Sequence, residues 1–223
     1  MKGYSQFCPV ALGAELFAER WTPLILRELL HGAGRFADIH RGVPRISRHL
    51  LALRLQALEH AGLVEHKVGA TGRGGAYGLT EAGREFGPVI EALGTWGYKW
   101  TTRDLRDEHL DPDYLMWTVR RLVRMENLPD RRVVVRFQFR EYPKRRYWLL
   151  LSPREVDLCI IDPGFEVDIE VAAETRALAE ICLGHLRVGE AVGRGKLVAN
   201  GPRQYCRDLG RWLGVTPFAT LAS

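Results

Sequence analysis

One stretch limits the options for this chain more than any other: Pro44 to Lys67, PRISRHLLALRLQALEHAGLVEHK. Leu51, Leu55, Leu58 and, past a turn, Leu63 recur at i, i+4 and i+7. That spacing makes one apolar stripe and predicts an amphipathic helix lying on a core. Ser47 is the expected N-cap, since its hydroxyl can accept from an orphan N–H of the first turn. Gly62 is the expected stop, as a C′ glycine. The face opposite the leucines carries Arg48, His49, Ala52, Leu53 and Gln56, and no acid before Glu59. It is cationic, small and rich in hydrogen-bonding groups. Arg54 lies beside the stripe and is expected to anchor within the molecule.

The flanks give that helix a setting. Upstream, Phe36, Ile39 and Val43 mark a short helix that Gly42 and Pro44 break, so the pair predicts a helix-turn-helix. Downstream, VGATGRGGAYGLT reads as a glycine-rich loop between short strands, with Arg73 near its tip. This is a wing, suited to a phosphate or minor-groove contact. Arg48, His49 and Gln56 are the expected contacts to base edges, where arginine suits guanine and glutamine adenine. Arg45, Lys67 and Arg73 are expected to bind phosphates, and Ser47 and Ala52 complete the expected DNA-binding set. Between Arg35 and Ala76 there are seven basic and three acidic side chains, nearly the whole net charge of +5. Such a local surplus is the footprint of a polyanion, here double-stranded DNA.

A chain of 223 residues predicts two domains. The fold class expected is α+β: a winged helix-turn-helix over 1–103, then an antiparallel sheet of about five strands with helices over 111–223. Before the wing, Pro9 opens a helix in which Leu12, Leu16 and Phe17 should be buried. The next has Leu24, Ile25, Leu29 and Leu30 in the core and ends at Gly32. After Thr80, one long helix carries Phe86, Val89, Ile90, Leu93, Trp96 and Trp100 at helical spacing. This stripe needs a partner, and a homodimer seam is the expectation. Thr101 to Asp113 is polar and marks the domain boundary. No apolar run is long enough to cross a bilayer. The opening residues do not read as a signal peptide, so a cytoplasmic location is expected.

Residues 8 to about 103 resemble the HxlR family of winged-helix transcriptional regulators. The likeness rests on Cys8-Pro9, Arg20-Trp21, LILREL from Leu24 to Leu29, RFADI from Arg35 to Ile39, the leucine-spaced segment Ile46 to Val64, YGLTEAG from Tyr77 to Gly83, and Trp96-Gly97. It implies a dimer on a roughly palindromic operator, with the first and last helices at the seam. It also implies two roles for Cys8, a redox or electrophile sensor or a structural thiol, and leaves both open. A thiol at a helix N-terminus feels the positive end of the dipole.

Beyond Asp113 the period changes from helical to two. Val133, Val135, Phe137 and Phe139 should point one way, while Arg136, Gln138 and Arg140 face solvent or an acidic ligand head. Asp162-Pro163-Gly164 reads as a turn. Gly184 to Gly214 resembles the sterol-carrier-protein-type domain, which implies an apolar cavity for a small hydrophobic ligand. No catalytic constellation is visible. Cys182 and His185 lie three apart but lack an orienting third group. The four cysteines show no metal-ligand spacing, and no cofactor is expected. A regulator responsive to a hydrophobic effector or to thiol oxidation is the leading expectation. A carrier protein whose helix-turn-helix no longer binds DNA is the alternative.

Overall fold

The structure, a computed structural model, describes residues 3–68 and 75–221. The chain divides into two compact units, Met1–Gly94 and Thr95–Ser223. The division falls inside a helix, ahead of the polar stretch where sequence alone put it.

The first unit runs α1 (Pro9–Phe17), α2 (Thr22–Leu30), α3 (Phe36–Gly42), α4 (Arg48–His60), β1 (Val64–Val68), β2 (Gly75–Leu79) and α5 (Glu81–Glu85), followed by the start of α6 (Gly87–Thr101). β1 and β2 form an antiparallel hairpin. The core joins Ile25, Leu26 and Leu29 to Ile39, Val43, Leu51, Leu55, Leu58, Leu63 and Leu79. Leu51 and Leu55 are fully buried, and each such leucine is worth about 1.5–3 kcal/mol. Ser47 caps α4 by accepting from the Leu50 N–H at 3.2 Å, and Thr80 caps α5 by accepting from Gly83. Gly62 takes a left-handed φ of 71° behind α4.

Three expectations here are corrected. No residue of α1 is fully buried: Leu12 and Leu16 are exposed, while Phe17, half-buried, packs on the core and stacks on Phe86 at 5.5 Å. An apolar stripe shows which face wants cover, not whether this chain supplies it. In α2, Leu24 and Leu30 are exposed and Leu26 takes the core position. The single helix expected after Thr80 is two, α5 and α6, parted at Phe86.

The second unit continues with α7 (Pro112–Leu122), β3 (Val133–Phe139), β4 (Arg146–Leu151), β5 (Val156–Cys159), β6 (Ile169–Ala173), α8 (Thr175–Leu183), α9 (Val188–Gly193), β7 (Leu197–Asn200), α10 (Arg203–Trp212) and α11 (Phe218–Leu221). The five strands lie in the order β5-β4-β3-β6-β7. This sheet is not purely antiparallel, as expected, because β3 and β6 pair in parallel. Side chains 34 apart meet across that pair: Arg136 with Glu170, Arg140 with Glu174 at 3.4 Å, and Val134 N–H with Asp168 at 2.8 Å. Glu141 extends the series by accepting from the Thr175 backbone at 3.0 Å and its hydroxyl at 2.9 Å. Alternation records which face a residue takes and is silent about strand direction.

Val133, Val135, Phe137 and Phe139 do share the inner face, all fully buried. They pack in one core with Met116 and Val119 of α7, Leu178 and Ile181 of α8, and Leu209 and Trp212 of α10. A recess lined by Val119, Leu122, Leu178, Ile181, Cys182, Leu213 and Gly214 has no room for a water-sized molecule. The apolar cavity expected of this half is absent there. Arg136 and Arg140 are engaged in the ion pairs above, on the solvent side. Cys182 and His185 do not share a helix, because α8 ends at Leu183 and Gly184 turns left-handed at φ 79°. Burial pushes the Cys182 thiol up to about 12, which makes it inert at neutral pH.

Candidate nucleic-acid interface

The buried leucines orient α4 and so decide what it shows to solvent. Thirteen residues of helix span about 20 Å at 1.5 Å each. With Leu51, Leu55 and Leu58 inward, Arg48, His49, Leu53 and Gln56 are exposed and Ala52 is half-buried between them. The structure therefore brings all the expected base-contacting residues onto one open flank. Ser47, at the start of the flank, is exposed and accepts the capping bond through its hydroxyl oxygen. Arg54 turns away to Glu19, just past the end of α1, at 2.7 Å, in the intramolecular role expected of it.

The charge on this flank stays available. Asp38 is taken by Arg41 at 2.8 Å, and Glu65 by Lys67 at 2.9 Å. Both pairs are well exposed, so breaking either costs about 0–1 kcal/mol. Lys67 can exchange Glu65 for a phosphate at little cost. Arg45 is exposed just before the cap. The loop carrying Arg73 lies outside the described residues. What is described of the wing is its base, where His66 stacks on Tyr77 at 4.3 Å and Tyr77 N–H donates to the Gly34 carbonyl at 2.7 Å.

Sequence reasoning missed the residues that aim α4. Glu28 is fully buried, and Arg27 holds it through Nε at 2.9 Å. The same arginine donates through Nη2 to the Gly42 carbonyl at 2.9 Å, at the end of α3. His40 Nε2 bonds the Ile46 carbonyl at 3.0 Å, just before the cap. A carbonyl only accepts, so that ring nitrogen carries hydrogen. Gly42 is glycine for a reason of space: a Cβ there would fall 1.9 Å from Glu28 Oε2. A clasp of one buried carboxylate, one guanidinium and one imidazole thus ties α2, α3 and the turn together. The available signal was Glu28 itself, an acid set in the apolar phase of Ile25 and Leu29.

The expected seam residues divide. Val89, Leu93, Trp96 and Trp100 are exposed along one side of α6, whereas Phe86 and Ile90 pack on the first unit's own core. α1 adds exposed Val10, Leu12 and Leu16. Cys8 is exposed at the N-cap of α1, and backbone N–H groups of Ala11 and Val10 hold its thiol below the usual range. Among the described residues no helix is long and apolar enough to cross a membrane.

Residues 16–105 match the HxlR-like helix-turn-helix family. The uncharacterized HTH-type transcriptional regulator YvaP of Bacillus subtilis (strain 168) is 30% identical over 113 residues, which is 50% of this chain and 96% of that protein. The HTH-type transcriptional regulator YodB of the same organism is 36% identical over 91 residues, 40% of this chain and 81% of YodB. Among solved structures, the reduced form of YodB from B. subtilis shows 32% identity, covering 45% of this chain and all of that one, with a TM-score of 0.39. The redox regulator HypR in its reduced form shows 28% identity over 40% of this chain and 90% of HypR, with a TM-score of 0.39.

Proposed function

Because the chain belongs, through residues 16–105, to the HxlR-like helix-turn-helix family, we propose that it is a dimeric, sequence-specific, DNA-binding transcriptional regulator. The observation that carries this is the exposed flank of α4, basic and hydrogen-bonding, set on leucines that are almost wholly buried. Arg48, His49, Ala52 and Gln56 face base edges in the major groove, and Arg45, Ser47, Lys67 and Arg73 hold phosphates. Two copies meet through the exposed side of α6, Val89, Leu93, Trp96 and Trp100, with α1 beside it. Large aromatic side chains left uncovered on one helix support that seam. Selecting duplexes from a random pool with the purified chain tests the reading. It predicts an inverted repeat whose half-site centres lie about one helical turn, roughly 10 base pairs, apart or at a multiple of that. A pool that shows no enrichment overturns it.

The second unit is assigned to regulation. Its recess between α7 and α8 has no room for a ligand at rest. A small hydrophobic effector enters the recess between α7 and α8 only by parting them, and its binding energy must favour that opened state. Cys8 supports a separate input, since an exposed thiol with a lowered pKa is the form that attacks electrophiles and oxidants.

A further inference from the structure

Charge in the second unit is strongly polarised. From Thr95 to Leu186 there are 15 basic and 16 acidic side chains, whereas from Arg187 to the end there are six basic and two acidic. The surplus of four in that last segment equals the one around α4. Both of its acids are already engaged: Glu190 by Arg187 at 2.7 Å, and Asp208 by Arg211 at 3.8 Å.

The surplus has a direction. α10 lays Leu209 and Trp212 in the core, so Arg203, Arg207 and Arg211, at i, i+4 and i+8, are exposed along its outer side. Successive members are about 6 Å apart along the axis. The row spans about 12 Å, the axial reach of three to four phosphates of one DNA strand at about 3.4 Å each. α9 packs beside it: a Cβ on Gly210 would lie 3.4 Å from Val188 Cβ. Arg187, directly before Val188, therefore joins the basic side, and Arg194 and Lys196, both basic, follow at the other end of α9.

We propose that the outer face of α10, with Arg203, Arg207 and Arg211, is a second surface for the DNA backbone. This rests on the regulator reading above, which already makes duplex the polyanion this chain meets, and a row of cations is complementary to it. Guanidinium groups suit phosphate through paired N–H donors. As a phosphate contact the row contributes to affinity and salt dependence, not to sequence choice.

The test uses the full chain and a random-sequence duplex of about 40 base pairs, roughly four helical turns, read by fluorescence anisotropy across a salt series. The triple variant Arg203→Gln, Arg207→Gln, Arg211→Gln is expected to lower the log–log salt slope by about two to three, at about 0.9 for each phosphate no longer neutralised. Lysine at the same three positions is expected to keep it. Arg207→Gln alone, at one exposed position, gives an independent drop of about 0.9. An unchanged slope in both glutamine variants overturns the proposal. So does polyglutamate that competes as well as duplex, which marks the face as a site for acidic protein. If Arg48→Gln lowers the slope and the α10 variants do not, this inference fails and the regulator reading stands. A wild-type chain with no duplex affinity removes both.

Discussion

Gly42→Ala is the sharpest probe of how α4 is aimed. The new methyl would sit 1.9 Å from Glu28 Oε2 and 2.0 Å from its Cδ, well inside the optimal separation of about 3.5 Å. Glu28 is fully buried and Arg27 grips it at 2.8–2.9 Å, so it cannot step aside freely. If only side chains shift, the cost is that of overpacking, about 1–3 kcal/mol. If the carboxylate is driven off its guanidinium, the cost approaches that of breaking a buried pair, about 3–5 kcal/mol. The range expected is therefore about 1–5 kcal/mol, read as a lower urea midpoint for the first unit with no change in slope. A double-mutant cycle separates mechanism from mere damage. In a Glu28→Ala background the methyl meets empty space, so Gly42→Ala should cost under about 1 kcal/mol there, outside the usual limit of additivity. Equal costs in the two backgrounds would refute the clasp. Duplex affinity should fall with Gly42→Ala even where the protein stays folded, because the turn that sets α4 has moved.

On the proposed seam, Leu93→Glu with Trp96→Glu should give monomer in sedimentation velocity with the fold kept, since both side chains are exposed; the melting temperature should fall only by the stabilisation that dimerisation lends, and a dimer that persists places the seam elsewhere. Cys8, whose thiol is held below its ordinary pKa by backbone N–H groups, should alkylate with a pH midpoint below that of an unperturbed cysteine. The lowered value means thiolate is kept as pH falls and is lost only below the usual midpoint. Cys182, pushed up to about 12, should not label at neutral pH unless the second unit opens, which mass spectrometry of the labelled chain resolves.

Much of the first unit was legible because its signals are local. Ser47, Thr80 and Gly62 mark helix ends by hydrogen-bonding and by φ, and Leu51, Leu55 and Leu58 mark a buried face by period. What escaped depends on partners distant in sequence. Leu12 and Leu16 look the same whether the cover comes from this chain or a second copy. The parallel pairing of β3 with β6 was hidden because Val133 and Ile169 alternate identically in either direction. Only matched charges, Arg136 with Glu170 and Arg140 with Glu174, carried the direction. The clasp was missed for a related reason. Glu28 makes sense only beside Gly42, 14 positions on, and polar residues in an apolar phase are the places where such partners should be sought.

Arg48 on α4 tests the central claim most directly. With a duplex selected by the wild-type chain and a random one side by side, Arg48→Ala should weaken binding to the selected duplex by about 1–3 kcal/mol and relax preference at one base pair. Binding to the random duplex should fall only by the share of a single charge. Equal loss on both duplexes, with the selected sequence still preferred as before, would mean that α4 touches the backbone alone and that the reading of bases lies elsewhere.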